Sequence, residues 1–96
     1  MHEIRFTVAA EKYLKKIKEK GLKKAFKNTL EEISINPYIG ELKTGDLAGV
    51  YCCDVYYNKT KYELAYKIYE KGGQMVVVIL AGTRENFYDE LKRYME

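Results

Sequence analysis

The side chains that most often carry enzyme chemistry are scarce in this sequence. It has one histidine, His2, and therefore no spacing for a zinc site or a histidine-based catalytic triad. Cys52 and Cys53 are adjacent, and neighbours in a strand point to opposite faces, so they do not easily form a disulfide with each other. We therefore expect no metal and no small-molecule cofactor. Any chemistry must come from arginine, lysine, tyrosine and carboxylate side chains.

The 17 lysines and arginines only slightly outnumber the 14 acids, but their distribution is uneven. Residues 12–27 contain eight lysines, with Glu11 and Glu19 as the only acids in or beside the segment. Apolar residues recur there at helical spacing, so we expect the lysines on the outer face of a helical pair. Such a face creates a positive field about one Debye length deep, which suits a nucleic acid. The alternative is a surface that is merely solvated.

Hydrophobic periodicity divides the chain into seven elements. The first three are a short strand and two helices that we expect to meet at Gly21, and the second helix should end where Asn36 precedes Pro37. A loop is predicted for residues 36–47. An antiparallel meander of three strands and a closing helix follow. The predicted strands and closing helix span residues 3–8, 50–57, 62–69, 74–81 and 83–94.

The predicted strands differ in burial. Residues 75–81 are apolar on both faces, which is typical of the most buried strand. The middle strand of the meander alternates, so we expect Glu63 and Lys67 on a solvated face. On the closing helix, Thr83 is the predicted cap. The buried side of that helix is expected to carry Phe87, Leu91 and Tyr94.

Length and composition indicate one small domain over residues 1–96. We predict the α+β class: a small antiparallel sheet, made of the short N-terminal strand and the meander, packed by the helical pair and closed by a C-terminal helix. A chain of this size buries roughly 60–65% of its unfolded surface, so a functional site should be a shallow groove. No segment is apolar over the roughly 20 residues of a membrane span, and a secretory signal is not evident. We therefore expect a cytoplasmic protein without membrane contact.

Five short segments stand out in the order of the chain. They are Asn36-Pro37, Gly45-Asp46-Leu47-Ala48-Gly49-Val50-Tyr51, Tyr62-Glu63-Leu64-Ala65-Tyr66-Lys67-Ile68, Gly82-Thr83-Arg84-Glu85-Asn86-Phe87-Tyr88 and Leu91-Lys92-Arg93-Tyr94. In this order and at this length, the chain resembles the RelE/ParE superfamily of toxins from type II bacterial toxin-antitoxin systems. The fourth segment is the most telling, because it is similar to the family's Gly-x-Arg-Glu stretch after the third meander strand.

The resemblance implies a toxin with one of two targets. Many members of the RelE branch cleave messenger RNA in the ribosome, which implies a metal-independent endoribonuclease. Its partners would be the ribosome, messenger RNA and a cognate antitoxin. Members of the ParE branch instead poison DNA gyrase without cutting anything, and fold alone does not choose between the branches. A third alternative is a homologue whose catalytic set has decayed and which only binds the antitoxin.

The resemblance also implies which residues carry the nuclease chemistry. Arg84 falls on the family's arginine and would stabilise the phosphorane, since a guanidinium grips phosphate with two parallel hydrogen bonds. Tyr88, which does not align with the RelE tyrosine, would position the nucleotide. Glu63 stands where RNA-cleaving members have an arginine, so it is a solvated strand residue, an antitoxin contact or the proton acceptor. Lys67 would add charge. For Arg84 the alternative is a solvated side chain or an ion pair with Glu41 or Asp46. For Tyr88 it is packing, and for Lys67 it is a role in solubility only.

Seven further basic residues are predicted to contact RNA or the ribosome. Five project from the two N-terminal helices, one lies in the loop that should overhang the solvated face, and one lies on the closing helix. They are Lys15, Lys16, Lys23, Lys24, Lys27, Lys43 and Arg93. For the helix lysines and the loop, the alternative is a polar surface that only keeps the protein soluble.

Overall fold

The computed structural model describes residues 2–70 and 72–95. In these ranges, three α-helices pack against one five-stranded sheet of order β1-β5-β4-β3-β2, which confirms the predicted α+β class. The strands are β1 (Glu3–Phe6), β2 (Glu41–Leu42), β3 (Tyr51–Tyr57), β4 (Thr60–Tyr69) and β5 (Met75–Thr83), and the helices are α1 (Val8–Lys15), α2 (Lys20–Ile35) and α3 (Phe87–Met95). None of the helices described there has the length and apolar character to cross a lipid bilayer.

The sheet is mixed, whereas the sequence predicted an antiparallel one. β1 pairs in parallel with β5, from Glu3 opposite Met75 to Phe6 opposite Val78. This pairing joins residues that are 72 positions apart in the sequence, and local alternation of side chains carries no information about the direction of so distant a partner. β2 lies in the region that the sequence predicted to be a loop. It is only two residues long, too short for a pattern of alternation to reveal it. It pairs with the first two residues of β3.

The helices α1 and α2 are separated before Gly21, which lies in the first turn of α2. There, a Cβ would come within 2.6 Å of the Tyr57 ring, so Gly21 allows close packing on β3 and is not the predicted junction. Thr7 caps α1 by accepting a hydrogen bond from the Ala10 N–H at 3.1 Å. The same hydroxyl donates to the Ile79 carbonyl at 2.6 Å, which fixes the start of α1 to β5. The predicted end of α2 before Asn36-Pro37 is confirmed.

The closing helix α3 begins at Phe87 rather than at Thr83. β5 runs through Thr83, so this residue ends a strand instead of capping the helix. Asn86 then turns the chain with a φ of 61°, a left-handed conformation that asparagine tolerates better than most residues. The buried side of α3 carries Phe87, Leu91 and partly buried Met95, at helical spacing. Tyr94, predicted to be buried, falls outside this series and is 46% exposed.

Both faces of the sheet are covered. The helices α1 and α2 pack on one face, and α3 packs on the other, which we call the α3 face. A bulge in β5 puts both Ile79 and Leu80 on the α3 face. The alternation of β4 puts Glu63 on the same face, where it is 1% exposed. The prediction of a solvated Glu63 is therefore wrong, because α3 and the turn before it cover this part of the strand.

Candidate functional site

The centre of the candidate site is the buried carboxylate of Glu63 on β4. Its Oε1 accepts a hydrogen bond from the Tyr88 hydroxyl at 2.7 Å. Its Oε2 has no hydrogen-bond partner among the described residues, and the Nε of Arg84 lies 3.7 Å away, close enough for an ion pair only. Three of the four residues predicted to be catalytic therefore lie together.

The turn between β5 and α3 positions Arg84 and Tyr88. The Arg84 N–H donates to the Lys61 carbonyl at 2.9 Å, which fixes the turn to the beginning of β4. The Phe87 N–H donates to the Arg84 carbonyl at 3.2 Å, and the Tyr88 ring packs edge-on against the buried Phe87 ring at 5.7 Å. Because β5 lies beside β4, this compact turn places both side chains next to Glu63.

Lys43 extends the cluster beyond Tyr88. Its ammonium lies 4.9 Å from the centre of the Tyr88 ring and forms an ion pair with Glu41. The backbone N–H of Lys43 donates to the Val50 carbonyl at 2.8 Å, so Lys43 directly continues the pairing of β2 with β3. The sequence predicted Lys43 only as an RNA contact. Its place beside Tyr88 depends on β2, which had no signal in the sequence.

A buried hydroxyl holds the segment before β2. Tyr66 Oη donates to the Pro37 carbonyl at 2.7 Å and accepts from the Gly40 N–H at 3.1 Å. A Cβ on Gly40 would come within 2.5 Å of this oxygen, so the approach requires glycine. Sequence reasoning missed Tyr66, because a tyrosine on a strand rich in apolar residues usually serves packing alone.

The surroundings raise the pKa values of the Tyr88 hydroxyl and the Lys43 amine further above neutral pH. Burial, reinforced by the hydrogen bond to Glu63, raises the pKa of Tyr88 to about 12. The hydrogen bond to Glu41 raises the pKa of Lys43 well above its usual value. Burial also raises the pKa of Cys52 to about 12, so its thiol is not an activated nucleophile. Tyr88 is therefore a proton donor to Glu63, and Lys43 is a permanent cation.

A shallow groove opens beside Tyr88, with a volume of about 350 Å³. It is lined by Lys43, Thr44, Asp46, Leu47, Tyr88 and Lys92, and we call it the basic groove. Its lining holds two lysines against one acid, Asp46, so the lysines suit a phosphate, and the tyrosine ring suits a base. Sequence reasoning did not single out Lys92, although it lies four residues after Tyr88 on the same helix face.

The other predicted residues lie away from this cluster. Lys67 shares the α3 face with Glu63 but lies four residues along β4, which corresponds to about 13 Å. Arg93 is exposed on α3. The helices α1 and α2 pack on the opposite face of the sheet. The five remaining predicted contacts lie on these helices or directly beside them: Lys15, Lys16, Lys23, Lys24 and Lys27. Within residues 2–70 and 72–95, His, Cys, Asp and Glu side chains form no group of three or more that could hold a metal ion.

Comparison with known proteins assigns the family. Residues 4–92 match the family model of the ParE-like toxin of type II bacterial toxin-antitoxin systems. The chain belongs to this family. It is a toxin of the RelE/ParE kind, the toxin component of a type II toxin-antitoxin system. No curated protein sequence matches the chain significantly.

Two solved structures show the same fold. A chain of the RelBE2 toxin-antitoxin complex from Mycobacterium tuberculosis is 25% identical, with a TM-score of 0.67, over 86% of this chain and 98% of that one. The E. coli toxin RelE, solved in the free state as a double arginine-to-alanine mutant, is 22% identical with a TM-score of 0.70, and the match covers 96% of each chain. At 22% identity, the match to RelE shows a shared fold and nothing more.

Proposed function

We propose that this ParE-like toxin is a metal-independent endoribonuclease that cleaves messenger RNA on the ribosome. The observation that carries the proposal is the burial of Glu63 beneath Tyr88, beside the basic groove. A buried carboxylate with one oxygen lacking a hydrogen bond is unfavourable for stability, and such arrangements are typical of active sites. An RNA backbone seated in the basic groove would bring a 2′-hydroxyl to Tyr88.

In the proposed reaction, Tyr88 relays a proton to Glu63. The 2′-hydroxyl attacks the adjacent phosphorus and gives its proton to the Tyr88 oxygen, while Tyr88 passes its own proton to Glu63 Oε1 along the 2.7 Å hydrogen bond. The raised pKa of Tyr88 supports this role, because a phenol that stays protonated acts as a relay and not as a free base. The products are a 2′,3′-cyclic phosphate and a 5′-hydroxyl, which takes its proton from solvent at the open groove.

Arg84 and Lys43 supply positive charge to the phosphorane. The Arg84 side chain is 55% exposed although it is paired with Glu63, so part of its guanidinium is accessible to phosphate oxygens. When Glu63 takes up the relayed proton, its attraction for Arg84 weakens and the guanidinium is available to the substrate. Lys67 lies too far along β4 for the same phosphate and would contact RNA outside the reacting nucleotide. Arg93 and the lysines of α1 and α2 would bind ribosomal RNA.

The pairing of Arg84 with Glu63 also favours a second candidate function, the inhibition of DNA gyrase without RNA cleavage. A guanidinium held by a buried carboxylate is less available to phosphate than a free one. In that case the cluster would be a structural element, and the surface around α3 would bind protein. The same pairing is compatible with a homologue that has lost catalysis and only binds its antitoxin.

A coupled translation assay tests the proposal. We expect the purified toxin to cleave the translated message, as mapped by primer extension, and Arg84→Ala to lose about 10²–10³-fold of this activity. The matched control is Arg5→Ala, because Arg5 is an exposed arginine on β1 that pairs with Glu3. An intact message together with inhibited supercoiling by gyrase would exclude the nuclease and support the second candidate, gyrase inhibition. An intact message with normal supercoiling and retained antitoxin binding would indicate the decayed homologue.

A further inference from the structure

A second cavity lies next to the same carboxylate, at the edge of the sheet beside β2. It has a volume of about 430 Å³, and we call it the acidic cavity. Four of its lining residues are the acids Glu32, Glu41, Asp54 and Glu63. Among the described residues that line it there is no lysine or arginine, although the protein carries a net charge of +3.

The carboxylates that line the acidic cavity outnumber by one the cations that pair with them. Glu41, Asp54 and Glu63 each pair with a cation that does not line the cavity. These cations are Lys43, Lys61 and Arg84. Glu32 forms no ion pair within residues 2–70 and 72–95, so one negative charge is left over. Because the buried Oε2 of Glu63 also lacks a hydrogen bond, a donor cation entering the cavity would find both net attraction and an acceptor.

The edge of β3 beside this cavity has unpaired backbone groups. β2 pairs only with the first two residues of β3, so from Cys53 onward this edge has no neighbouring strand in the described ranges. The Val50 carbonyl bonds towards β2, and bonding direction alternates along an antiparallel strand. The N–H and C=O groups of Asp54 and Tyr56 therefore point to the open edge. Such an edge is a template for a further strand.

We infer that this edge binds an extended segment of a partner protein, and that one arginine of the segment enters the acidic cavity and pairs with Glu63 Oε2. Main-chain hydrogen bonds to Asp54 and Tyr56 provide affinity, and the buried ion pair provides specificity. The missing single charge selects one basic side chain. Arginine suits the position better than lysine, because its guanidinium keeps several donors in a fixed plane. The inference concerns binding and stands whether or not the toxin cleaves RNA.

An NMR titration of the full chain tests this inference. The probe is a blocked pentapeptide, Thr-Val-Arg-Val-Thr, and its control carries citrulline, which has nearly the shape of arginine but no charge. We expect the largest amide shift changes at Asp54 and Tyr56, and about tenfold weaker binding of the citrulline peptide. Equal affinity of the two peptides would overturn the inference. Shift changes confined to other residues, or no change at millimolar peptide, would overturn it as well.

Matched variants separate the strand edge from the cavity. Tyr56→Pro removes an outward N–H, which an edge strand tolerates, and should abolish binding of both peptides, whereas Tyr56→Ala should retain it. Glu63→Gln should abolish the preference for arginine over citrulline, whereas Glu31→Gln, an exposed change on α2 outside the cavity, should not. A preserved preference in Glu63→Gln would exclude the ion pair. If Tyr56→Pro does not fold, the amide changes in the unmodified chain still decide the binding edge.

Discussion

The basic groove and the acidic cavity adjoin the same carboxylate and carry opposite charge. The groove presents Lys43 and Lys92 beside Tyr88, with Asp46 as its one acid, whereas the cavity presents four acids and no cation of its own among the described residues. Glu63 connects them, because Tyr88 of the groove bonds its Oε1 while the carboxylate also lines the cavity. The net charge of +3 therefore does not describe either region. Only the groove suits a polyanion, and the cavity suits a cation.

This difference gives the two oxygens of one side chain separate roles. Oε1 is committed to the Tyr88 hydroxyl, and Oε2 has only the distant Arg84 Nε at 3.7 Å. A proton arriving through Tyr88 and a cation arriving through the cavity would act on the same negative charge. The chemistry proposed for the groove and the binding inferred for the cavity are therefore coupled, and substitutions can separate them.

The largest expected effect comes from Glu63→Gln, which removes the shared charge. Cleavage of translated message should fall about 10²–10⁴-fold, because the relay loses its final acceptor. The melting temperature should stay equal or rise, since a buried charge disappears and exposed Arg84 can be hydrated instead. Primer extension and circular dichroism measure the two quantities, with Glu31→Gln as the control. Unchanged cleavage would leave Glu63 with a role in the acidic cavity only.

Tyr88→Phe should cut the connection between groove and carboxylate while keeping the ring. We expect kcat for cleavage to fall about 10²-fold with little change in KM, because the relay is lost and stacking is retained. Glu63 Oε1 would also lose its donor, which should lower the free energy of unfolding by about 1–3 kcal/mol. Urea denaturation measures this loss. A rise in KM alone would mean that Tyr88 only holds a base.

Tyr66→Phe should weaken both regions together, because β2 and the residue after it carry Glu41 towards the cavity and Lys43 towards the groove. The change leaves the Pro37 carbonyl and the Gly40 N–H without their partner, at a cost of about 1–3 kcal/mol of stability. Activity should fall less than in Tyr88→Phe, since no group of the relay is removed.

The control for Tyr66→Phe is Tyr69→Phe, which changes an exposed tyrosine on the same strand. Comparison of cleavage rate and peptide affinity in the two variants checks the shared anchor. Loss of only one of these activities in Tyr66→Phe would show that groove and cavity do not depend on β2 jointly.

Much of the fold could be predicted from local patterns. Helical spacing and the Asn36-Pro37 dipeptide gave the second helix and its end, and alternation gave the three strands of the meander. The parallel partner of β1 and the two-residue β2 depend on distant contacts, which no local pattern contains. The start of α3 was misplaced because Thr83 fits a cap as well as a strand end, and only the pairing of β5 with β4 decides between them.

The candidate site was predictable only in part. The resemblance pointed to Arg84, Glu63 and Tyr88, and these side chains do lie together. Alternation predicted the correct face of the sheet for Glu63 but not its burial, because that burial depends on where α3 begins. The acidic cavity had no signal at all, since its four acids come from α2, β2, β3 and β4. Residues so separated in the chain are related only by the completed sheet.

The smallest expected effect is a pH dependence that tests the shared carboxylate directly. The pKa of Tyr88 is raised from 10.0 to about 12 by burial and by the hydrogen bond to Glu63. As pH rises, the unfolded chain therefore loses this proton first, so the stabilisation is complete below pH 10 and is lost between pH 10 and about 12. The free energy of unfolding should fall over this window, and less steeply in Tyr88→Phe.

Urea denaturation across the alkaline range measures this slope in both proteins. Tyr66, whose pKa is also raised by burial, is present in both, so the difference in slope isolates Tyr88. Identical slopes would mean that the pKa of Tyr88 is not raised in solution, so that its hydroxyl is neither buried nor held by Glu63. The proposed connection between the basic groove and the Glu63 carboxylate would then be wrong.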